Sequence, residues 1–418
     1  MNPLSLRYGQ HRNSGELRDF RSHLLRLFGR AQRKRVKLIH SNPKTVSEVL
    51  IASDVKGTFI ESMIATPAWH PIVSTESVDG ETWKNLSDHF HELSAKIDWR
   101  NRLSALNQKY LNRLQLELHS NPEKQIGSEE ISRLVLRILF ELVFREEISI
   151  QDEALFYQAS LEWRKEIAVK GKADPKIKNL FWKTLQEQIS KNKKTESGCP
   201  FHKNLSDLAS AIAQPFIISP QINMSDILVS CFHYLRTQHS EKTSYLEIAQ
   251  SWARSKDDAR VLGIVLESIR LQHPFPILER EVPPGKSIQG CPITEPTQYF
   301  LLMDQFEQDP EWNPERWLLS AKDNPYTHFP FGAGKRMCLG KPIALEILKD
   351  MLSFFLTEID PSRIHPEKGH LYSGRGNDHN ASLREVFYQI KVFSTVIIKS
   401  IKKILFRRKK ELYHHKKR

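Results

Sequence analysis

Residues 329–340 read Phe329-Pro330-Phe331-Gly332-Ala333-Gly334-Lys335-Arg336-Met337-Cys338-Leu339-Gly340 and run directly into a helical pattern from Ala344 to Leu356. The string is a glycine-rich loop that delivers one cysteine to the head of a helix. Backbone N–H groups of such a loop and the positive end of the helix dipole stabilise a thiolate, and Lys335 and Arg336 add positive charge beside it. Glycines at 332, 334 and 340 let the backbone approach a flat ligand closely, with Phe331 packing on the sulfur side. A buried structural cysteine in a loop is the plain alternative. The other cysteines, Cys199, Cys231 and Cys291, lie far away and form no CxxC pair, so neither a disulfide framework nor a zinc ribbon is indicated.

A thiolate held in this way is the axial ligand that an iron porphyrin needs for cleaving an O–O bond. Phe331, Gly334, Arg336, Cys338 and Gly340 fit F-x-x-G-x-[R/K/H]-x-C-x-G at every fixed position, and on these residues the chain resembles the cytochromes P450. The resemblance implies a mainly α fold with small β-sheets, in which haem b lies between a long distal helix and the proximal cysteine loop. Cys338 is then the iron ligand, and Phe331, Gly334, Arg336 and Gly340 are cofactor-binding residues.

Working upstream, Glu267-Ser268-Ile269-Arg270 supplies the family's E-x-x-R pair, with carboxylate and guanidinium on one helix face because i and i+3 are neighbours. The same spacing recurs at Glu130 and Arg133. What marks Glu267 is its place, 71 residues before Cys338 with a proline-rich segment between. Arg316, in Pro314-Glu315-Arg316-Trp317, is the expected third arm of that triad. The family also implies that Arg280, on the strand after the helix, and Arg336 hold the haem propionates, since a guanidinium grips a carboxylate bidentately. Asp79-Gly80-Glu81-Thr82-Trp83 resembles the start of the family's C helix, but its W-x-x-x-R pattern has Ser87 where the arginine belongs. A propionate contact from that helix is therefore left to Trp83, Lys84 or His89, or is absent.

The distal helix departs furthest. Aligning the family's [A/G]-G-x-[D/E]-T with Phe232-His233-Tyr234-Leu235-Arg236-Thr237 leaves Thr237 as the alcohol, replaces the acid by Arg236 or Leu235, and puts His233 or Tyr234 where a small residue is usual. Thr237, Arg236 and His233 are the catalytic candidates on that alignment. An Arg236 that binds a substrate carboxylate resembles the family's peroxygenases. An isomerase, or a haem-binding protein without catalysis, is the other reading.

The chain has 418 residues with 39% hydrophobic and 27% charged, a globular composition, and a formal net charge of +13. The charge sits at the ends. Residues 1–40 carry a net +8 and residues 399–418 a net +9, which leaves −4 on the 358 residues between them. Specific nucleic-acid binding is not expected of such a body. The layout read from the sequence is a basic amphipathic segment (1–40), a haem domain (41–392) and a basic tail (393–418). Within the domain, residues 35–39 suggest a strand, Asn42-Pro43 a helix start, Gly80–Leu116 and Ser128–Phe144 helices, and Ser190–Asn204 a surface loop. Ile222–Gln250 and Asp258–Leu271 read as helices, and His273–Thr327, dense in proline, as short strands and coil.

No apolar run reaches the roughly 20 residues of a membrane span and no signal peptide is visible, so a cytoplasmic location is expected, with the tail as a peripheral membrane contact. The resemblance implies insertion of one oxygen atom of O2 into a small organic substrate, with electrons from a separate ferredoxin or flavodoxin, because no fused reductase follows. Lys335, Arg336, Lys341 and Lys349 mark the face expected to meet such an acidic donor.

Overall fold

The structure, a computed structural model, describes residues 35–39, 42–57, 69, 72, 78–167, 171–195, 205–240, 243–275, 277–303, 311–365, 391, 394 and 398. The amphipathic segment before residue 35, the Gly-Cys-Pro string at 198–200 and nearly all of the basic tail lie outside them. The first strand, β1 (Arg35–Ile39), and the first helix, α1 (Pro43–Ala52), fall where expected. Proline at the first helical position loses no hydrogen bond, and Asn42 Oδ1 caps the helix by accepting from the Thr45 N–H at 3.0 Å.

Helices α2 (Gly80–Lys96) and α3 (Trp99–Ser120) are separated at Asp98, whose φ of 50° turns the chain out of the first helix. Then follow α4 (Ser128–Phe144), α5 (Ile150–Ile167) and α6 (Pro175–Thr195). The last runs further than expected, into the stretch read as a loop.

The long helix differs most from its sequence reading. It consists of α7 (Leu205–Ile212), a π-helical segment (Ala213–Ile218) and α8 (Ser219–Thr237), a nearly continuous rod about 50 Å long. The expectation of one helix over Ile222–Gln250 misses both ends. Pro215 and Pro220 argue against helix because they lack an N–H, but here one lies in the wider π turn and the other in the first turn of α8, where a missing donor costs little. At the far end Gln238 adopts an extended conformation (φ −102°, ψ 147°). A two-residue hairpin of β2 (His239–Ser240) and β3 (Thr243–Ser244) follows, and Ser244 caps α9 (Tyr245–Arg254). Helix α10 (Asp258–Leu271) matches its reading.

The proline-rich stretch holds only short elements among the described residues. Strands β4 (Ile277–Val282) and β7 (Thr297–Leu302) pair antiparallel, and β1 joins β7 in parallel with Arg35 opposite Thr297, giving the order β1-β7-β4. A hairpin of β5 (Ser287–Ile288) and β6 (Cys291–Pro292) turns through Gln289 and Gly290, both at positive φ, so the second Gly-Cys-Pro string belongs to a tight turn.

Two apolar cores result. The larger joins the helices, ending with α11 (Lys341–Thr357), and the smaller packs Val46, Val49, Leu50, Tyr299 and Leu301 between α1 and the sheet. The 329–340 loop is rooted in both. Phe329 and Ala333 belong to the smaller core, whereas Phe331 and Leu339 pack against the larger.

Candidate functional site

The cysteine loop holds itself by backbone bonds. Phe331 O accepts from the Cys338 N–H at 2.9 Å, Gly334 O accepts from Met337 N–H at 3.1 Å, and Cys338 O accepts from Lys341 N–H at 3.2 Å at the head of α11. Gly332 and Gly334 have φ of +71° and +68°, the left-handed region open to glycine. A Cβ on Gly334 would also stand 2.7 Å from the Leu50 carbonyl oxygen, so α1 presses directly on the loop. A Cβ on Gly340 would meet nothing. Cys338 itself is exposed and in no disulfide, a thiol at the N-terminal end of a 17-residue helix.

Arg336 turns towards α2. Its Nε donates to Asp54 O (2.8 Å), and Nη2 donates to Val78 O (2.8 Å) and to the Asp79 carboxylate. The guanidinium lies 4.2 Å from the centre of the Trp83 ring. Asp79, at the start of α2, also accepts from the N–H groups of Lys56 and Gly57 (3.0 and 3.2 Å). Arg336 and Trp83 are thus brought together, with Asp79 holding the arginine. In the sequence Asp79 is only a neighbour within the Asp79–Trp83 motif; its partner is 257 residues away, and no local pattern announces that bond. Of the other residues considered on α2, Lys84 is exposed and His89 half-buried.

Behind the loop lies the Glu267 network. Arg270 grips the carboxylate through Nε (2.9 Å) and Nη2 (2.7 Å), Arg316 Nε adds a bond of 3.1 Å, and the Trp317 indole and the Asn313 N–H each donate at 2.9 Å. Glu267 and Arg270 are fully buried. The Tyr326 ring lies beneath both guanidiniums, 4.8 Å from Arg270 and 5.5 Å from Arg316. Trp317 stood in the quoted motif, but Tyr326 had no sequence signal. The arms reach because α10 is smooth where they cross: a Cβ on Gly263 would lie 2.5 Å from the Pro314 carbonyl oxygen. Glu130 and Arg133, at the same spacing, make no such unit. Glu130 caps the Gly127 N–H at 2.9 Å, while Arg133 pairs with Glu129 and Glu153.

Arg280 on β4 is 3% exposed, opposite Tyr299 in the register, with Nη1 donating to Glu279 O at 2.7 Å. Thr237, Arg236 and His233 are not brought to this site. Arg236 donates to the carbonyl oxygens of Pro361 and Ile364 (2.7 Å for the latter), beyond the C-terminal end of α11. Cys338 precedes the opposite end of that helix, whose length is about 25 Å. Thr237 and His233 are exposed, the Thr237 hydroxyl bonded to His233 O at 2.8 Å. The residues aligned with the distal motif therefore end the long helix and anchor the segment after α11. The part of the rod that meets α2 is its first half, α7 and the π segment, where Phe216 stacks on Phe90 at 5.4 Å, two turns along from Trp83.

Of the lysines read as a docking face, Lys335 is well exposed and Lys341 half-buried. Lys349 lies low among Glu346, Asp258 and Asp350, and the Arg336 side chain is 3% exposed, so neither presents charge outward. Among the described residues no helix is long and apolar enough to cross a membrane.

Residues 262–367, from α10 through the loop to beyond α11, match the family model of cytochrome P450. The chain is 34% identical over 131 residues to the cytochrome P450 monooxygenase mpaDE of Penicillium roqueforti, which is 28% of this chain and 15% of that protein. It is 30% identical over 116 residues to cytochrome P450 4d2 of Drosophila melanogaster, covering 26% of this chain and 23% of the relative. The matches thus span less than a quarter of the length of these relatives. A six-coordinated cytochrome P450 from Thermus thermophilus superposes with a TM-score of 0.57 at 18% identity, over 81% of this chain and 90% of that one. A zebrafish cytochrome P450 does so with a TM-score of 0.57 at 16% identity, over 77% of this chain and 85% of that one.

Proposed function

We propose, for a chain that is a member of the cytochrome P450 family, that it is a haem-thiolate monooxygenase holding haem b through Cys338. The observation that carries this reading is an exposed thiol at the head of α11, in a loop shaped by left-handed glycines and braced from behind by the buried Glu267–Arg270–Arg316 unit. The donor set fits the group. One soft sulfur ligand stands beside a glycine with open space at its Cβ position, and Arg280, a buried cation, lies on β4.

When bound, the haem supplies activation of O2 and transfer of one oxygen atom to a small organic substrate, with two electrons from a separate ferredoxin or flavodoxin. The protein's own part is to keep Cys338 ionised and fixed. The N-terminus of α11 and nearby Lys335 and Lys341 favour the thiolate, and the Phe331 carbonyl pins the cysteine backbone. Arg280 is the candidate for a propionate. Arg336, the second propionate candidate, stiffens the loop through Asp79 and Trp83. The peroxygenase reading loses its support, since it rested on Arg236 near the iron.

The test is the reduced, carbon-monoxide difference spectrum of the purified protein beside Cys338→Ser. A red-shifted Soret band that vanishes in the variant is expected. Haem uptake without that band in the wild type would overturn the thiolate assignment.

A further inference from the structure

Arg164, near the end of α5, is a buried cation that the haem reading leaves unused. It is 5% exposed. Its Nη2 donates to the Pro274 carbonyl oxygen at 3.0 Å, its guanidinium lies 5.8 Å from the centre of the Phe275 ring, and its buried Nε has no hydrogen-bond partner. The carboxylates on its own helix are engaged elsewhere: Glu162 by Lys165 and by the Asp174 N–H, Glu166 by the Trp69 indole at 2.8 Å. Among the described residues no carboxylate reaches Arg164. A guanidinium removed from water normally faces an anion, because an unpaired buried charge is among the most costly groups a fold can hold.

A second orphan stands on the facing element. Gln214, in the π segment, is 2% exposed, and neither its amide nitrogen nor its amide oxygen has a partner. The two elements run antiparallel. Phe156 O accepts from Gln221 Nε2, and one turn along Ser160 Oγ lies 3.5 Å from Ile217 O. One turn further brings Arg164 level with Ala213 and Gln214. Phe275, half-buried, shields the guanidinium from bulk water. Residues 273–275 follow α10, which bears Glu267 and Arg270, and precede β4, which bears Arg280. The π segment touches α2, whose Trp83 covers Arg336 of the cysteine loop. The pair therefore stands where α5, the π segment and residues 274–275 converge, with α2 and the cysteine loop it holds on the other side of the π segment.

Resting on the haem-thiolate reading of the cysteine loop, we propose that Arg164 and Gln214 form a carboxylate-binding site, and that the substrates of this chain carry a carboxylate. Arg164 takes the anion through Nε and Nη, and Gln214 donates its amide N–H to it. A dry charged donor discriminates strongly against an analogue that lacks the acceptor. A propionate of the porphyrin is the other source of the same chemistry, and the experiment separates the two.

Isothermal titration of the 418-residue chain as purified, with decanoate and with decan-1-ol, is the measurement. The wild type should bind the acid at least tenfold more tightly than the alcohol. Arg164→Met should abolish that preference, Arg164→Lys should keep part of it, and Gln214→Leu should reduce it. Thermal unfolding by circular dichroism checks that the variants fold, and decanoate should raise the wild-type midpoint but not that of Arg164→Met. Equal affinity for acid and alcohol in the wild type overturns the proposal, as does a preference that survives in Arg164→Met. Loss of haem from Arg164→Met with the preference intact assigns the arginine to the porphyrin and overturns the substrate claim. The carbon-monoxide spectrum of the same samples reports on the haem-thiolate reading separately, so if the band is missing from the wild type the calorimetric comparison still decides the carboxylate question.

Discussion

Glu267 accepts five hydrogen bonds while wholly buried, from Arg270, Arg316, Trp317 and the Asn313 backbone. Its removal leaves Arg270 charged and dry, which is far worse than losing a surface pair. Glu267→Gln should therefore destabilise the fold by about 3–5 kcal/mol in denaturant unfolding, whereas Glu130→Gln should cost about 1 kcal/mol or less, the scale of a helix cap. Similar losses for both would mean that burial does not separate the two E-x-x-R pairs. That distinction is legible in the sequence, since Glu267 stands at the right distance before Cys338 in the chain. The partners of Arg336 and the isolation of Arg164 are not. Both depend on contacts between residues hundreds or tens of positions apart, and an arginine on an amphipathic helix reads as solvated until its neighbours are known.

At the level of elements, the sequence served well wherever periodicity and turn chemistry agreed. α1, α2, α4, α10 and α11 begin or end at recognisable caps, prolines or glycines. The long helix failed because its prolines contradict its pattern; a π turn that tolerates Pro215 leaves no periodic trace. An error of register followed, and it moved the expected distal residues to the far end of the rod. The crossing of α10 over the 3₁₀ turn Pro314–Leu318 was equally silent. Gly263→Ala tests it with a sign that helix propensity alone gets wrong. Alanine in a helix interior normally stabilises by about 0.5–1 kcal/mol, but here its Cβ would collide with the Pro314 carbonyl oxygen at 2.5 Å. Overpacking against backbone should make the variant less stable by about 1–3 kcal/mol, read as a lower urea midpoint. A neutral or stabilised variant would show that the turn yields without cost.

For the molecule as a whole, the net charge of +13 says little about the face around Cys338, because the two ends carry more than all of it and the residues between them are net −4. Around the cysteine loop the usable charge is Lys335, paired with Asp54 at 3.2 Å but well exposed, and Lys341 near the Phe331 ring. They border exposed apolar surface at Met337 and Ile51, so the face offers a small hydrophobic patch with a cationic rim, the composition that suits an acidic electron donor. Lys349 has a different task. Burial opposes its charge, but Glu346, Asp350 and Asp258 outweigh burial and raise its pKa, while burial raises that of Asp350. Lys335→Glu with Lys341→Glu should slow reduction by an acidic ferredoxin several-fold at low salt in stopped-flow measurements, and the difference should shrink as salt screens the encounter. Lys349→Glu should instead lower the melting temperature, because it adds a fourth carboxylate to three that the lysine had held together. If Lys349→Glu keeps its melting temperature and slows reduction, or the double variant is reduced at the wild-type rate, Lys335 and Lys341 do not form a docking face.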